Sequence, residues 1–206
     1  MEDRKYLDDL RDIREMMNRS TQFISLSGLS GVLAGVYALA GAFIAKQVLS
    51  AHSRVTGGGY VTLESDTFKA IVGIALAVLI LSIGTALLMT SIKARKRGEQ
   101  LWNNTSKRLL INFLIPLVTG GIFTLLLLRH GVYGLIAPVT MIFYGLACVN
   151  ASKYTFRDVR YLGITIIILG LIATEFSGYA LEFWAVGFGI CHIFYGGIMH
   201  FKYEKN

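Results

Sequence analysis

The sequence predicts an all-α integral membrane protein, a bundle of six transmembrane helices preceded by a charged amphipathic helix. Six long apolar stretches run along its 206 residues, at 21–48, 68–90, 109–128, 132–149, 161–175 and 181–201. Each is close to the ~20 residues a helix needs to cross a ~30 Å hydrocarbon layer, the fifth being short. Hydrophobic residues make up 54% of the chain. The polar sequence left over is too little to cover six such segments, so lipid must be the solvent for most of the surface. The cations supply the orientation. With both termini in the cytoplasm, sixteen of the twenty Lys and Arg fall on the inner side, and only Lys46, Arg54, Lys69 and Arg129 lie opposite. The positive-inside rule therefore predicts that the side with sixteen, and both chain ends with it, faces the cytoplasm, as expected of an integral protein of the inner membrane. The formal charge of +7 resides entirely on the inner segments. A basic balance of that origin reflects orientation and contact with anionic lipids, and it excludes nucleic acid as a partner.

Residues 1–19 form the first element. Tyr6, Leu10, Ile13 and Met17 recur at intervals of four, three and four, a stripe widened by Leu7 and Met16. Arg4 with Asp8, Lys5 with Asp9 and Arg11 with Glu15 are i,i+4 pairs, each adding ~0.2–0.5 kcal/mol to the helix. Five basic residues meet six acids, unlike a polybasic lipid sensor. The segment is expected to dock through residues 2–17 under the bundle, against a second copy in a homo-oligomer, or against a partner membrane protein. The charged stretch precedes an apolar segment too long for a signal peptide, so the first span is expected to remain in the mature protein.

Residues 20–206 form the transmembrane domain, read as hairpins 20–90, 109–150 and 161–201. Ile142-Phe143-Tyr144-Gly145 matches Ile193-Phe194-Tyr195-Gly196. Likewise Leu26-Ser27-Gly28 followed by Gly35 has the spacing of Tyr161-Leu162-Gly163 followed by Gly170, and Gly120 lies at equivalent depth. These matches suggest three parallel-repeat hairpins around a common centre; the plainer alternative is a simple six-helix bundle whose small residues only permit packing. Ser27, Gly31, Gly35, Gly120, Gly145, Gly170 and Gly196 are the expected close approaches, since van der Waals contact replaces the hydrophobic drive that lipid cannot supply. Pro116 and Pro138 are expected to bend the third and fourth helices.

Outside the spans, Lys93, Arg95, Lys96 and Arg97 precede Trp102, and Lys107 with Arg108 follow it. An indole flanked by cations fits membrane lipids, with these seven residues touching headgroups. The outer loop contains Gly57-Gly58-Gly59 but lacks the Lys and Ser/Thr of a phosphate cradle, so it reads as a connector. Sequons at Asn18, Asn103, Asn104 and Asn150 all fall on the inner side.

Chemistry within the bilayer is sparse, and an ionisable group there is a functional candidate by default. His192 stands out near the middle of the sixth helix, either holding a neighbouring helix or contacting a ligand or proton path. Tyr195, Tyr144, Thr140, Thr119 and Asn112 are the polar residues expected to gather with it at one ligand or proton site. No metal, haem or other cofactor is implied, because His192 and His200 are ~12 Å apart along a helix and His52 and His130 lie near the outer surface. Cys148 and Cys191 fall inside helices and read as small contact residues, not as a redox framework. No HExxH motif, paired intramembrane carboxylates or nucleophile–histidine–acid set occurs, so catalytic residues are not assigned and an enzyme acting on a lipid or quinone is the least favoured class.

Two further stretches carry a resemblance. Ser25-Leu26-Ser27-Gly28-Leu29-Ser30-Gly31, and Ala151-Ser152-Lys153-Tyr154-Thr155 with Asp158-Val159-Arg160-Tyr161-Leu162-Gly163, are similar to an uncharacterised family of small multi-pass membrane proteins of Bacteroidota. The resemblance covers most of the chain and implies a multi-pass topology. That family has no established activity, so it implies no site residue.

The function expected from these features is a small inner-membrane scaffold, sensor or accessory subunit acting through helix packing and its cytoplasmic helix. The alternative is a transporter or channel for a small solute or protons, with a polar site around His192. For topology, a cysteine introduced at Arg97 is expected to escape a membrane-impermeant maleimide in intact cells and to react after permeabilisation. Reaction in intact cells would invert the orientation.

Overall fold

A computed structural model describes residues 26–56, 65–96, 98 and 101–203. The expected amphipathic helix at 1–19, the glycines at 57–59 and Arg97 lie outside the described residues. What is described is helical, with no strand among the described residues.

Six helices follow in order: α1 (Gly28–Thr56), α2 (Asp66–Lys96), α3 (Asn104–Arg129), α4 (Ile136–Ala151), α5 (Arg157–Glu175) and a composite α6. The last begins as Ala180–Trp184, widens into a π-helical turn at Ala185–Ile190 and continues as Cys191–Tyr203. With their short flanking turns, five of the six are long and apolar enough to cross a membrane. The exception is α5, only 19 residues long, with Arg157, Asp158 and Arg160 in its first turn.

Helix boundaries depart from the apolar stretches in an instructive way. The first stretch ends at Val48, yet α1 runs on to Thr56 and takes in His52 and Arg54. Likewise α2 extends past Thr90 to place Lys93, Arg95 and Lys96 in its last turn, where cations meet the negative end of the helix dipole. Hydropathy marks the part of a helix that lipid touches. Backbone hydrogen bonds continue beyond it, because long charged side chains reach water from inside the helix.

Local sequence sets the ends of α3. The Asn103 side chain accepts from the Ser106 N–H at 2.8 Å while the Ser106 hydroxyl accepts from the Asn103 N–H at 2.9 Å, a reciprocal capping box. At the other end Gly131 adopts φ +72°, and the Gly131 and Val132 N–H groups donate to Leu128 and Leu127 carbonyls. This is the left-handed closure that glycine alone adopts without steric cost.

The two prolines behave differently from one another. Pro116 lies inside α3 as expected. Pro138, expected to bend a helix at mid-segment, is instead the third residue of α4. There the missing N–H is one that no intrahelical carbonyl would have accepted, so Pro138 starts the helix and removes nothing from its middle.

In packing, α1 lies between α2 and α6, α4 lies between α3 and α5, and α6 joins the two groups through α5 and α4. The apolar windows of α2 and α3 are 0% and 6% buried, so these helices form the periphery. One core layer comprises Met141, Leu162 and Ile166 with Tyr144, Phe183, Trp184 and Phe188 around it. A second comprises Cys148, Phe156, Val159 and Met199, nearer the end that carries Lys93 and Lys202. That end is called the basic end below.

Glycine decides where the backbones meet. A Cβ on Gly145 would stand 2.6 Å from the Gly163 carbonyl oxygen, and one on Gly163 would stand 2.6 Å from that of Gly145. Across the bundle, a Cβ on Gly196 would stand 2.7 Å from the Gly28 oxygen and one on Gly35 2.6 Å from the Gly189 oxygen. Gly31 also faces Gly196, Gly120 lies under Phe143, and Gly170 faces the Pro138 carbonyl. Ser27 is buried next to Gly28 and accepts at its carbonyl from Ser30 Oγ at 2.7 Å.

Gly163→Ala is expected to destabilise the bundle by about 1–3 kcal/mol, because its methyl group meets backbone that has nowhere to move. Gly84→Ala, with nothing within 4 Å of its Cβ, is expected to stay within about 0.5 kcal/mol of the parent. Unfolding midpoints in detergent compare the two; equal losses would contradict the assignment of contact and open positions.

Candidate functional site

The π-helical turn and the helix after it place one imidazole in the interior. At this wide turn the Cys191 N–H reaches back to the Val186 carbonyl, one residue further than an α-helix would. The Gly187 carbonyl, five residues before His192, lies 3.1 Å from His192 Nδ1. A carbonyl only accepts, so Nδ1 carries the proton and donates to it. The other nitrogen, Nε2, then accepts from the Tyr144 hydroxyl of α4 at 2.8 Å. Both ring nitrogens of His192 are thereby engaged.

Aromatic rings close off this pair. Phe188 stacks on His192 with centroids 5.8 Å apart and lies 4.9 Å from the Tyr144 ring, while Trp184 covers Phe188 and Phe113 meets Tyr144 edge-on. Cys148 sits one turn beyond Tyr144 in the same layer. The imidazole is 6% exposed, and a buried polar pair of this kind holds its energy only while both members are satisfied. Arranged so, it fixes α6 to α4 and offers no nitrogen to a ligand.

The other expected members of a polar centre do not join it. Tyr195 shares a hydrogen bond with Thr165 of α5 at 3.2 Å, with Thr165 Oγ1 also donating to the Tyr161 carbonyl. Thr140 donates to the Ala137 carbonyl, Thr119 to that of Ile115 on an exposed side, and the Asn112 amide to that of Arg108, each at 2.8 Å. Of the six residues expected at one site, the structure joins Tyr144 to His192, while Tyr195, Thr140, Thr119 and Asn112 make their hydrogen bonds elsewhere. A short hydroxyl or amide in a medium without water takes the nearest carbonyl, one turn back on its own helix.

Two open grooves lie on the surface of the described residues. One is lined by Ile193, Phe194, Gly197, Ile198, Phe201 and Lys202, the other by residues including Leu39, Phe43, Lys46 and Glu182. Neither includes His192. Among the described residues no group of three or more His, Cys, Asp and Glu side chains is placed to hold a metal ion.

Charge gathers at the two ends of α6. At its start, Glu182 meets Lys46 of α1 at 2.9 Å, an exposed pair. At its finish, Lys202 Nζ approaches Asp158 of α5 at 3.2 Å and the Tyr203 hydroxyl donates to the same carboxylate at 2.7 Å. Asp158 is 8% exposed, and Phe156 stacks on Tyr203 with centroids 4.1 Å apart. Lys93, expected among the headgroup contacts, turns inward: its Nζ donates to the Leu26 carbonyl at 2.8 Å and lies 5.7 Å from the Phe156 centroid. Trp102 is 64% exposed with the Lys107 Nζ over its ring, and Arg95, Lys96 and Arg108 are exposed.

Sequence reasoning missed Asp158, Thr165 and the Gly187 carbonyl. For Asp158 the signal was present, a single acid among Lys153, Arg157 and Arg160. For Gly187 there was none, because a π turn leaves no mark beyond the glycines themselves.

Known protein families, curated proteins and solved structures offer no match to this chain. Tyr144→Phe is expected to cost about 1 kcal/mol of unfolding free energy by leaving Nε2 buried without a donor. Tyr195→Phe should cost less, since Thr165 keeps the Tyr161 carbonyl. The reverse order in detergent unfolding would contradict the roles given to the two tyrosines.

Proposed function

We propose that this protein is a small multi-pass scaffold or accessory subunit of the cytoplasmic membrane, working by helix packing. The observation that carries this reading is the state of His192. The one candidate for intramembrane chemistry has both ring nitrogens engaged and is walled by aromatic rings. A side chain so held maintains a helix contact, whereas a transport or ligand site needs a nitrogen facing water. The alternative, a transporter or channel with a polar site around His192, is disfavoured for the same reason and by the dispersal of Thr119, Thr140 and Asn112.

On this reading all six helices span the bilayer, α5 being shielded by its neighbours, and the basic end with both termini faces the cytoplasm. The charge asymmetry supports that orientation. Matched contacts support the repeat. Gly145 meets the Gly163 carbonyl and the Ile167 N–H as Gly196 meets the Gly28 carbonyl and the Val32 N–H. Gly170 meets the Pro138 carbonyl and Ile142 as Gly35 meets the Gly189 carbonyl and Ile193. Each pair of contacts falls at equivalent positions of the two matched motifs. Partners would be lipid and another membrane protein or a second copy, met by the outer helix faces and, beyond the bilayer, by the basic end with residues 2–17.

Reconstituted vesicles test the choice. Proton and small-solute flux is expected to equal that of protein-free vesicles, both for the parent and for His192→Ala. Flux above that level which His192→Ala abolishes, with folding retained, would establish the transporter instead.

A further inference from the structure

The basic end is far from neutral. Among the described residues it carries nine Lys and Arg side chains, between 93 and 108, between 153 and 160, and at 202, against the single carboxylate of Asp158. That carboxylate is already taken by Lys202 and Tyr203. Arg157 and Arg160, on either side of it, are exposed.

The chain itself supplies a complementary surface. Residues 1–19 hold six acids and one apolar stripe, Tyr6, Leu10, Ile13 and Met17. They lead into Leu26, whose carbonyl Lys93 holds. From there contacts run without a gap: Lys93 over Phe156, Phe156 stacked on Tyr203, and Tyr203 bonded to Asp158. Leu26 and Tyr203 are only partly buried on the layer formed by Cys148, Phe156, Val159 and Met199. An apolar stripe laid there would extend that layer. Reach is sufficient, since eight extended residues span at most ~28 Å and a sixteen-residue helix is ~24 Å long.

We propose that residues 2–17 dock on the basic end of their own bundle, with their acids against Arg157, Arg160 and Lys153 and their apolar stripe over Leu26 and Tyr203. An anionic lipid surface is the poorer seat, because it repels a segment with more acids than bases. The inference concerns where the segment rests and stands whether or not the accessory role holds.

The full-length chain in a neutral detergent provides the test, read as the rate of tryptic cleavage after Arg11 and Arg14. Docking predicts slow cleavage that speeds up by roughly tenfold or more in the triple variant Asp8→Asn, Asp9→Asn, Asp12→Asn, since cleavage follows the undocked population. The parent should show the same acceleration at about 1 M salt, where exposed charges are screened. Arg157→Gln with Arg160→Gln should reproduce it from the receiving side, with an unchanged heat-unfolding midpoint showing the bundle intact. Equal cleavage rates in parent and variants would overturn the proposal. So would protection lost on dilution, which assigns the seat to a second copy, or protection found only in vesicles containing anionic lipid, which assigns it to the membrane surface.

Discussion

The structure depends on backbone meeting backbone where a side chain is absent. Gly28 with Gly196 brings α1 against α6, and Gly145 with Gly163 brings α4 against α5; at each seat a single methyl group would fall within van der Waals radii of a carbonyl. In water such helices would be driven together by their apolar faces. Lipid removes that drive, so attraction must come from dense short-range contact, which only the smallest residues allow. The peripheral α2 and α3 lack comparable seats along most of their length, and their apolar side chains face outward.

Onto this steric frame the chain places a small number of polar ties, and most involve α6. Lys46 holds its start, Tyr144 and Thr165 hold its middle, and Asp158 holds its end. The π-helical turn lies between the first of these ties and the rest. Adding one residue to a turn rotates everything beyond it by roughly a quarter of a revolution, so the wide turn sets which side of α6 presents His192. The Gly187 carbonyl then fixes the imidazole tautomer. A hydrogen bond within α6 thus determines how α6 addresses α4.

This economy explains why the interior reads as structural. The Thr119, Thr140 and Asn112 side chains turn back on their own helices, and both nitrogens of the imidazole are engaged. Charge is left to the ends, where the described residues of the basic side gather a positive surface around the one buried carboxylate among them, Asp158. A protein so built presents apolar flanks to lipid or to another helix and a charged platform to whatever meets it outside the bilayer.

The sequence by itself determined the helical class, the six apolar segments that are helical among the described residues, and which glycines recur, because hydropathy, length and residue size are local properties. It also singled out His192 and Tyr144. Only the tertiary structure decided that these two meet, that Tyr195 and the threonines go elsewhere, that Pro138 opens a helix and does not bend one, and that Asp158 and Lys93 turn inward. Those outcomes depend on the rotational phase of each helix and on which neighbour lies within about 3 Å of a polar atom. Neither quantity is written in any one segment, since each is settled only when six helices have packed.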